Sequence, residues 1–319
     1  MSFSESSTHS LRSIILADEA SFGVVLTALT QSRLRAQSGN LGRRIRRGAK
    51  FFAYRKSSGI GASRVRLAIG TQSKGGIIKM FSNVASPDGV RARLAGCIAP
   101  IVTPFDATGA LSMNGLAAII DFLAAAGVSG IVPGDLVGEY PALSLAERQG
   151  LIEGSVKFGG GRCVVIALVS HASVDTAIEL ARFAERAGVD VIKLALPYPY
   201  APSDAMILEY IRRVGGSTGV PFIVESSDEL PIPLSVIATL CADPRFVGVE
   251  EMGSDLGRLH RLHREFSGRL ALLPAGDPAL LVLGLLGAPG LITAECNFAP
   301  AFMREFLDAC RRRDLDRAL

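Results

Sequence analysis

Short apolar runs alternate with longer segments of helical periodicity from residue 95 onward, and this alternation limits the possible folds more than any other feature of the chain. Strands that alternate with helices are typical of parallel α/β sheets. Eight such runs occur, more than an open doubly wound sheet usually contains, so a closed barrel is favoured. The predicted fold class is α/β, a (β/α)8 TIM barrel, with strands at residues 97–103, 130–133, 163–169, 189–196, 221–224, 246–249, 270–273 and 290–293.

Capping residues mark the boundaries of several predicted helices. Ser144 and Glu147 have the S-x-x-E spacing of a capping box, and Ser173 can cap the helix that follows. Gly127 and Gly188 stand where a helix needs a left-handed residue to end. The helical segments are therefore predicted to be separate elements with defined ends, as a barrel requires.

Residues 1–90 differ in charge from the rest of the chain. They contain 14 Lys and Arg against 4 Asp and Glu, whereas residues 91–319 contain 20 against 26. We predict two segments, a basic extension of low structure at 1–90 and the barrel at 91–319. The extension can be interpreted as an organellar transit peptide, as a basic arm for nucleic acid, or as sequence upstream of a natural start at Met80. We favour the third interpretation, because a well-formed domain follows Met80, and we expect no nucleic-acid partner.

The cysteines and the hydropathy pattern exclude several classes of protein. Five cysteines, an odd number without a C-x-x-C pair, indicate a reducing compartment and no structural zinc. No apolar run reaches the roughly 18 residues of a membrane helix, so no membrane partner is expected. A cytoplasmic location is predicted, with organellar import by the extension as the alternative.

The carboxyl ends of the predicted strands should carry the functional site, because barrel enzymes build it from these ends and the loops that follow. The sixth strand ends in two adjacent acids, Glu250 and Glu251, and the fifth ends in Glu225. Acidic side chains thus gather at one end of the predicted barrel. In chain order the eight ends read TPF, GDLVGEYPALS, SH, PYPYAP, ESSDEL, EE, AGDP and ITAECN.

Five segments resemble, in order, the dihydrodipicolinate synthase / N-acetylneuraminate lyase family of class I aldolases. They are APIVTPFDATGALS, VGEYPALSLAER, VIALVSHASVDTAIELARFAERAGVD, LALPYPYAPS and GLITAECNFAP. Each motif is weak alone, but their shared order over residues 95–319 makes the resemblance specific. The resemblance implies a lyase barrel that binds pyruvate or another 2-oxo acid as a Schiff base on a lysine.

The resemblance also implies roles for individual positions. In the family the Schiff-base lysine stands at the end of the sixth strand, and a proton-relaying tyrosine stands at the end of the fifth. Those two positions carry Glu250 and Glu225 here, and the loop that holds the substrate carboxylate carries Leu136, Val137 and Gly138. A glutamate cannot form an imine, so altered or lost catalysis is expected.

Lys193 is the lysine nearest to the predicted active end, since Lys157 precedes the third strand at the opposite end of the barrel. If Lys193 points inward, desolvation in a dry pocket would lower its pKa. If it points outward, it crosses the helix layer and reaches solvent. The candidate catalytic residues are therefore Glu250, Glu225 and Lys193. The candidate substrate-binding residues are Leu136, Val137, Gly138, Tyr198 and Ile292.

Three hypotheses account for the acids at the strand ends. In the first, Glu225 and Glu250 form an acid–base pair or share a divalent cation such as Mg²⁺ or Mn²⁺, with Asp135 and Asp277 nearby. In the second, the barrel is a non-catalytic ligand-binding or regulatory paralogue. In the third, Lys193 takes over the role of the amine. Apart from such a cation, no cofactor and no dedicated metal site are expected.

The chain ends in DLDRAL, where the last predicted barrel helix ends. The resemblance implies further helices that pack beside the barrel and support tetramers, so a truncated C-terminal helical region is expected. The oligomeric state stays open. The expected partners are a small 2-oxo acid or related substrate and, as an alternative that stays open, further copies of this chain.

Overall fold

The computed structural model of the protein describes residues 87–196 and 202–319. The strands are β1 (Gly96–Pro100), β2 (Gly130–Val132), β3 (Val164–Leu168), β4 (Val191–Leu194), β5 (Phe222–Ser226), β6 (Phe246–Glu251), β7 (Ala271–Pro274) and β8 (Gly290–Ile292). The α-helices are α1 (Pro87–Arg93), α2 (Met113–Ala125), α3 (Leu145–Gly159), α4 (Val174–Ala187), α5 (Asp204–Gly215), α6 (Leu234–Leu240), α7 (Leu256–Phe266), α8 (Asp277–Leu285), α9 (Pro300–Arg312) and α10 (Leu315–Ala318). Short 3-10 helices at Tyr140–Ala142 and Ala294–Asn297 follow β2 and β8.

The eight strands form one parallel sheet, connected in the order β7-β6-β5-β4-β3-β2-β1-β8. Strand β7 lies beside β8 and brings the two ends of the sheet together. A helix follows each of the eight strands and covers the outside of the sheet. The protein is a (β/α)8 TIM barrel, as the alternation in the sequence predicts.

Two apolar layers hold the barrel together. Side chains that point inward from the strands, such as Ile98, Ile166 and Ile223, are fully buried in one cluster at the barrel axis. Their neighbours on the strands, such as Ile192 and Val224, point outward and pack against the helices in a larger cluster. Because side chains alternate along a strand, polar residues at inward positions of the carboxyl ends must meet above the inner cluster.

The pairing of β5 with β6 contains an irregularity that decides which acid faces the barrel axis. Phe222 pairs with Phe246, but Ile223 pairs with Gly248, so Val247 is one extra residue on β6. A bulge of this kind shifts the alternation of all later side chains by one position. As a result Glu250 pairs with Glu225 and points inward, and Glu251 points toward the helices. The strand also extends past the predicted end at residue 249, so both acids belong to β6.

The predicted caps are confirmed. The Ser144 hydroxyl accepts a hydrogen bond from the Glu147 amide, and the Glu147 carboxylate accepts one from the Ser144 amide. The Ser173 hydroxyl accepts from the Thr176 amide at the start of α4. Gly127 and Gly188 adopt positive φ angles of 77° and 87° at helix ends. Local sequence therefore fixes where α3 and α4 begin, and with them the loops at the active end.

Helix α1 begins inside the range assigned to the basic extension. Val90 in this helix and Leu94, which follows it, are buried in the inner cluster, and Arg91 donates a hydrogen bond of 2.7 Å to the Arg269 carbonyl. The contacts attach residues 87–93 to the barrel, and the remainder of the 1–90 segment lies outside the described residues. None of the described helices is both long and apolar enough to cross a membrane.

Candidate functional site

Lys193 lies at the centre of the carboxyl end of the barrel, with its side chain pointing inward from β4. The side chain is 1% exposed, and its Nζ lies 2.8 Å from Asp135 Oδ2, 2.7 Å from Glu225 Oε2 and 2.5 Å from Glu250 Oε2. Three carboxyl groups from three different elements thus surround one ammonium group. We call these four residues the central cluster.

Asp135 enters the central cluster from the loop after β2. Gly134, just before it, has a φ of 61°, which turns the chain sharply toward the barrel axis. The Asp135 carboxylate accepts hydrogen bonds from the Leu136 amide at 2.7 Å and from Lys193 at 2.8 Å. Both of its oxygens are therefore used, and the loop is tied to the lysine.

Glu250 is the least satisfied member of the central cluster. Its Oε2 is buried and, within the described part of the chain, accepts no hydrogen bond of good geometry, although Lys193 lies 2.5 Å away as an ion pair. Burial, together with the nearby Asp135 and Glu225, raises the pKa of Glu250 to about 8, even though Lys193 opposes that shift. The Glu250 carboxyl is therefore mostly protonated at neutral pH.

Lys193 remains charged for the opposite reason. Burial alone would lower its pKa, but the carboxyl groups of Asp135, Glu225 and Glu250 outweigh burial and raise the pKa well above its ordinary value. Of the two predicted orientations, the inward one is found. The predicted fall of the pKa in a dry pocket is wrong, because the pocket is lined by acids.

The second acid of β6 takes part in a separate arrangement on the outer side of the strand. Glu251 is fully buried, and its Oε2 lies 2.8 Å from Arg258 Nη2. Its Oε1 accepts a hydrogen bond of 3.0 Å from the Gly253 amide, and Arg258 also donates to the Ser226 hydroxyl at 2.8 Å. We call Glu251 and Arg258 the outer pair. This pairing joins β5 and β6 to α7.

A second buried cation, Arg148, lies in the first turn of α3. Its Nη1 donates to the Ser170 carbonyl at 2.8 Å and its Nη2 donates to the Leu168 carbonyl at 2.7 Å, at the end of β3. Its guanidinium lies 5.3 Å from the centre of the Tyr140 ring. Burial lowers the pKa of Arg148 to about 10. Sequence reasoning missed both Arg148 and Tyr140, although both stand in the segments that carry the resemblance.

The predicted substrate-binding residues have different surroundings. Leu136 is 64% exposed, and Val137 is half-buried. Gly138 approaches the first strand so closely that an added Cβ would lie 2.8 Å from the Ile101 carbonyl oxygen, and its own carbonyl accepts from Thr103 at 2.6 Å. Ile292 is buried in the inner cluster, and its assignment as a substrate-binding residue stays a prediction. Tyr198 lies outside the described residues.

The lysine also bears on the predicted cation site. The space between Glu225 and Glu250 is occupied by the Lys193 ammonium, which already supplies the positive charge that a divalent cation was expected to supply. Among the described residues, no group of three or more His, Cys, Asp or Glu is arranged to hold a metal ion. Asp277 is the first residue of α8.

Comparison with known proteins identifies the barrel. The sequence profile of the Dihydrodipicolinate synthetase family matches residues 93–319. The chain belongs to this family. The resemblance predicted from five sequence segments is thereby confirmed, and the matched range contains all four residues of the central cluster.

Individual relatives agree with the family match. The 4-hydroxy-tetrahydrodipicolinate synthase of Brucella abortus is 29% identical over 232 residues, which cover 71% of this chain and 78% of the relative. The enzyme of the same name from Cereibacter sphaeroides is 30% identical over 232 residues, with 71% and 79% covered.

Solved structures agree as well. The dihydrodipicolinate synthase of Aquifex aeolicus has a TM-score of 0.67 at 25% identity, over 70% of this chain and 78% of that chain. The synthase of Acinetobacter baumannii, solved in complex with pyruvate, has a TM-score of 0.66 at 25% identity, over 70% and 78%. The N-acetylneuraminate lyase of Fusobacterium nucleatum shares the fold, with a TM-score of 0.66 at 21% identity over 71% and 79%.

Proposed function

We propose that this chain is a lyase that acts on pyruvate or another small 2-oxo acid by acid–base chemistry, without a Schiff base on a lysine. The observation that carries the proposal is the enclosure of Lys193 by three carboxyl groups. Imine formation needs a neutral amine that can attack a carbonyl. An ammonium group whose pKa is raised well above its ordinary value cannot supply one near neutral pH.

The central cluster supports acid–base chemistry, with one carboxyl group as the acid and another as the base. Glu250, protonated up to about pH 8, can donate a proton, and the partly exposed Glu225 can accept one. Two neighbouring carboxyl groups in different environments, one buried and one partly exposed, are a common basis of an acid–base pair. The Lys193 ammonium can stabilise the negative charge that develops on a substrate oxygen when a proton leaves the neighbouring carbon.

Such a centre suits cleavage or formation of a bond beside a carboxylate or carbonyl group, whether C–C or C–O. The Acinetobacter baumannii relative was solved with pyruvate, which favours a 2-oxo acid as the ligand of this barrel as well. The chemistry needs no bound metal ion, because Lys193 provides the positive charge. The same residues therefore support a metal-assisted dehydratase less well than a lyase that uses Lys193.

A second candidate function is supported by the loop after β2. Leu136 and Val137 offer no hydroxyl groups to a substrate carboxylate, so these two positions of the loop are apolar where the family resemblance implies polar contacts. This favours a barrel that binds a ligand without turning it over. The two candidates share a binding site and differ in whether protons are exchanged there.

One experiment separates the two candidates. The full chain is incubated with pyruvate in D₂O, and loss of the methyl proton signal is followed by NMR. For the proposed lyase we expect exchange above the buffer rate, and a reduction of at least about 100-fold in Glu250→Gln, the size of a lost general acid. Glu153→Gln, an exposed substitution on α3, is the matched control and should exchange like wild type. Binding of pyruvate without exchange would favour the non-catalytic candidate.

A mass measurement tests the absence of the Schiff base. The protein is treated with pyruvate and borohydride, and its intact mass is recorded. We expect no added mass, because the Lys193 nitrogen has no free electron pair while it carries three protons. An adduct located on Lys193 would contradict the proposal and revive the hypothesis of a displaced Schiff-base lysine.

We also propose a cytoplasmic location and homo-oligomeric assembly. All five cysteines are free thiols, which fits a reducing compartment. Light scattering of the purified chain would test the assembly, and a monomer at micromolar concentration would contradict it.

A further inference from the structure

Arg148 is a buried charge whose partners are neutral. It is 4% exposed, and its guanidinium is bonded to the carbonyl oxygens of Leu168 and Ser170. Within the described part of the chain, no carboxylate forms a salt bridge with it. A buried guanidinium without a carboxylate is costly, so the arrangement calls for a role beyond packing.

The capping box explains why Arg148 reaches this place. Ser144 and Glu147 fix the first turn of α3, so the side chain of Arg148 projects from a rigid position. Both carbonyl bonds lie at the end of β3, and the Ser170 hydroxyl accepts a 2.7 Å hydrogen bond from the Ala195 amide, just beyond β4. The guanidinium is thus held in one orientation next to the strand that carries Lys193.

The ring on which Arg148 stacks belongs to the loop that supplies Asp135. Glu139 adopts a φ of 59°, unusual for a residue other than glycine, and this turn reverses the loop. The Tyr140 amide then donates a hydrogen bond of 3.2 Å to the Asp135 carbonyl. Tyr140 is therefore attached at its backbone to the central cluster and at its ring to Arg148, 5.3 Å away.

The phenol of Tyr140 is within electrostatic reach of the central cluster. Burial, then the charges of Glu225 and Asp135, raise its pKa, while Arg148 and Lys193 oppose the shift. The hydroxyl consequently carries its proton at neutral pH and can donate it. Glu225 stands where the family resemblance implies a tyrosine, so a hydroxyl from another loop can take over that work.

We propose that Tyr140 is the proton-carrying hydroxyl of this site and that Arg148 is its positioning residue. The inference rests on the proposed lyase function. In the direction of bond formation, Glu225 first takes a proton from the carbon beside the carbonyl, and Tyr140 then gives its proton to the substrate oxygen on which negative charge develops and takes one back from the protonated Glu225. In the direction of cleavage the same transfers run in reverse, so no proton is gained or lost overall.

The first test needs no activity. Protein labelled with ¹³C at the tyrosine ζ carbon is titrated by NMR, and Tyr140→Phe assigns the resonance. We expect the Tyr140 pKa to fall in Glu225→Gln, which removes a negative charge, and to rise in Arg148→Met, which removes a positive one. Arg148→Lys is a second variant in case Arg148→Met does not fold, because lysine keeps the charge but cannot reproduce the two-carbonyl fork.

The matched control for this titration is Arg186→Met. Arg186 lies 5.9 Å from the Phe183 ring on the exposed side of α4, so it is also an arginine over an aromatic ring but far from the central cluster. It should leave the Tyr140 titration unchanged. If Glu225→Gln leaves the Tyr140 pKa unchanged, the inference is overturned, because the phenol does not face the central cluster.

The second test uses the pyruvate exchange reaction. We expect Tyr140→Phe to slow exchange by at least about 100-fold, as for a lost general acid. Arg148→Met should slow it by about 10- to 100-fold through misplacement of the phenol, and Arg186→Met should not. Exchange that survives in Tyr140→Phe but is lost in Glu250→Gln would overturn the role of Tyr140 and leave the proposed function intact. No exchange in wild type would overturn the proposed function and the role of Tyr140 with it.

Discussion

The two adjacent glutamates of β6 show how differently one strand can use the same side chain. On the outer side, Glu251 has one arginine, Arg258, and both of its oxygens are bonded. On the inner side, Glu250 shares the Lys193 ammonium with two other carboxyl groups, and one of its buried oxygens lacks a well-aligned hydrogen bond. The outer pair is matched in charge, and the central cluster is not.

This difference separates structural from functional charge. A matched, bonded pair fastens α7 to the sheet. A cluster with an excess of carboxyl groups destabilises the fold and shifts pKa values, which proteins accept mainly at sites that do chemistry. The structure places this cluster at the carboxyl end of the barrel, where TIM-barrel enzymes have their active sites. The contrast predicts that the two groups respond differently to mutation and pH.

The largest expected effect is that of Lys193→Met. It removes a cation that lies in contact with three carboxyl groups, so we expect a loss of about 5 kcal/mol in the free energy of unfolding at pH 8, the upper end of the range for a broken buried pair. The loss should shrink at pH 5, where carboxyl groups can bind protons. Urea denaturation at both pH values measures it. A loss that is equal at the two pH values would contradict the charge imbalance.

The next effect is the pH dependence that Glu250 imposes. Its folded pKa of about 8 lies above the ordinary value of 4.5, so its contribution to stability is complete below pH 4.5 and is lost as pH rises through 8. At about 1.4 kcal/mol per pKa unit, the decline is on the order of 5 kcal/mol.

Glu250→Gln tests this dependence, because glutamine mimics the neutral carboxyl group and should flatten the stability curve between pH 5 and pH 9. The exposed Glu153→Gln is the control, and it should keep the decline of wild type. If Glu250→Gln and wild type lose stability in parallel across this range, the Glu250 carboxyl is ionised throughout and cannot be the acid of the site.

Arg258→Met tests the outer pair. It leaves Glu251 buried with only the Gly253 amide as a partner, and we expect a loss of about 3 kcal/mol, the lower end of the range for a broken pair. Adding Glu251→Gln should recover most of that loss, because the unpaired charge is removed with its partner. Lys193→Met has no equivalent rescue by one substitution. If adding Glu250→Gln alone fully restored the stability of Lys193→Met, the central cluster would respond like the outer pair, and the contrast between them would be wrong.

The sequence predicts much of this architecture, but not all of it. The eight strands, the caps and the meeting of Glu225 with Glu250 follow from local patterns and from the rule that strand ends share a site. The choice between Glu250 and Glu251 for the barrel axis does not, because it depends on the bulge at Val247. A bulge leaves no distinct signal in an apolar run such as FVGV.

The electrostatics of the lysine were also beyond sequence reasoning. Whether burial or neighbouring acids set the pKa of Lys193 depends on distances between residues far apart in the chain, such as the 2.8 Å to Asp135. The sequence also does not show how far a lysine side chain reaches, so it could not predict that the Lys193 ammonium lies between Glu225 and Glu250. Arg148 and Tyr140 were not predicted as site residues for a similar reason. Arg148 contacts the Tyr140 ring and the carbonyls of Leu168 and Ser170 only in the folded chain.

The smallest effect concerns Ser226, where the outer pair meets β5. Its hydroxyl accepts hydrogen bonds from Arg258 at 2.8 Å and from the Ile232 amide at 3.2 Å, and the residue is fully buried. Ser226→Ala leaves these two donors unpaired but keeps the bond between Arg258 and Glu251, so we expect a loss of about 1 to 2 kcal/mol with no new pH dependence. Ser235→Ala, which removes an exposed hydroxyl bonded to Asp204 at 2.9 Å, should change stability by less than about 0.5 kcal/mol. Urea midpoints at pH 5 and pH 8 measure both variants. A loss in Ser226→Ala that grows with pH would mean that the outer pair is coupled to the central cluster through β5 and β6, and that the two glutamates are not independent.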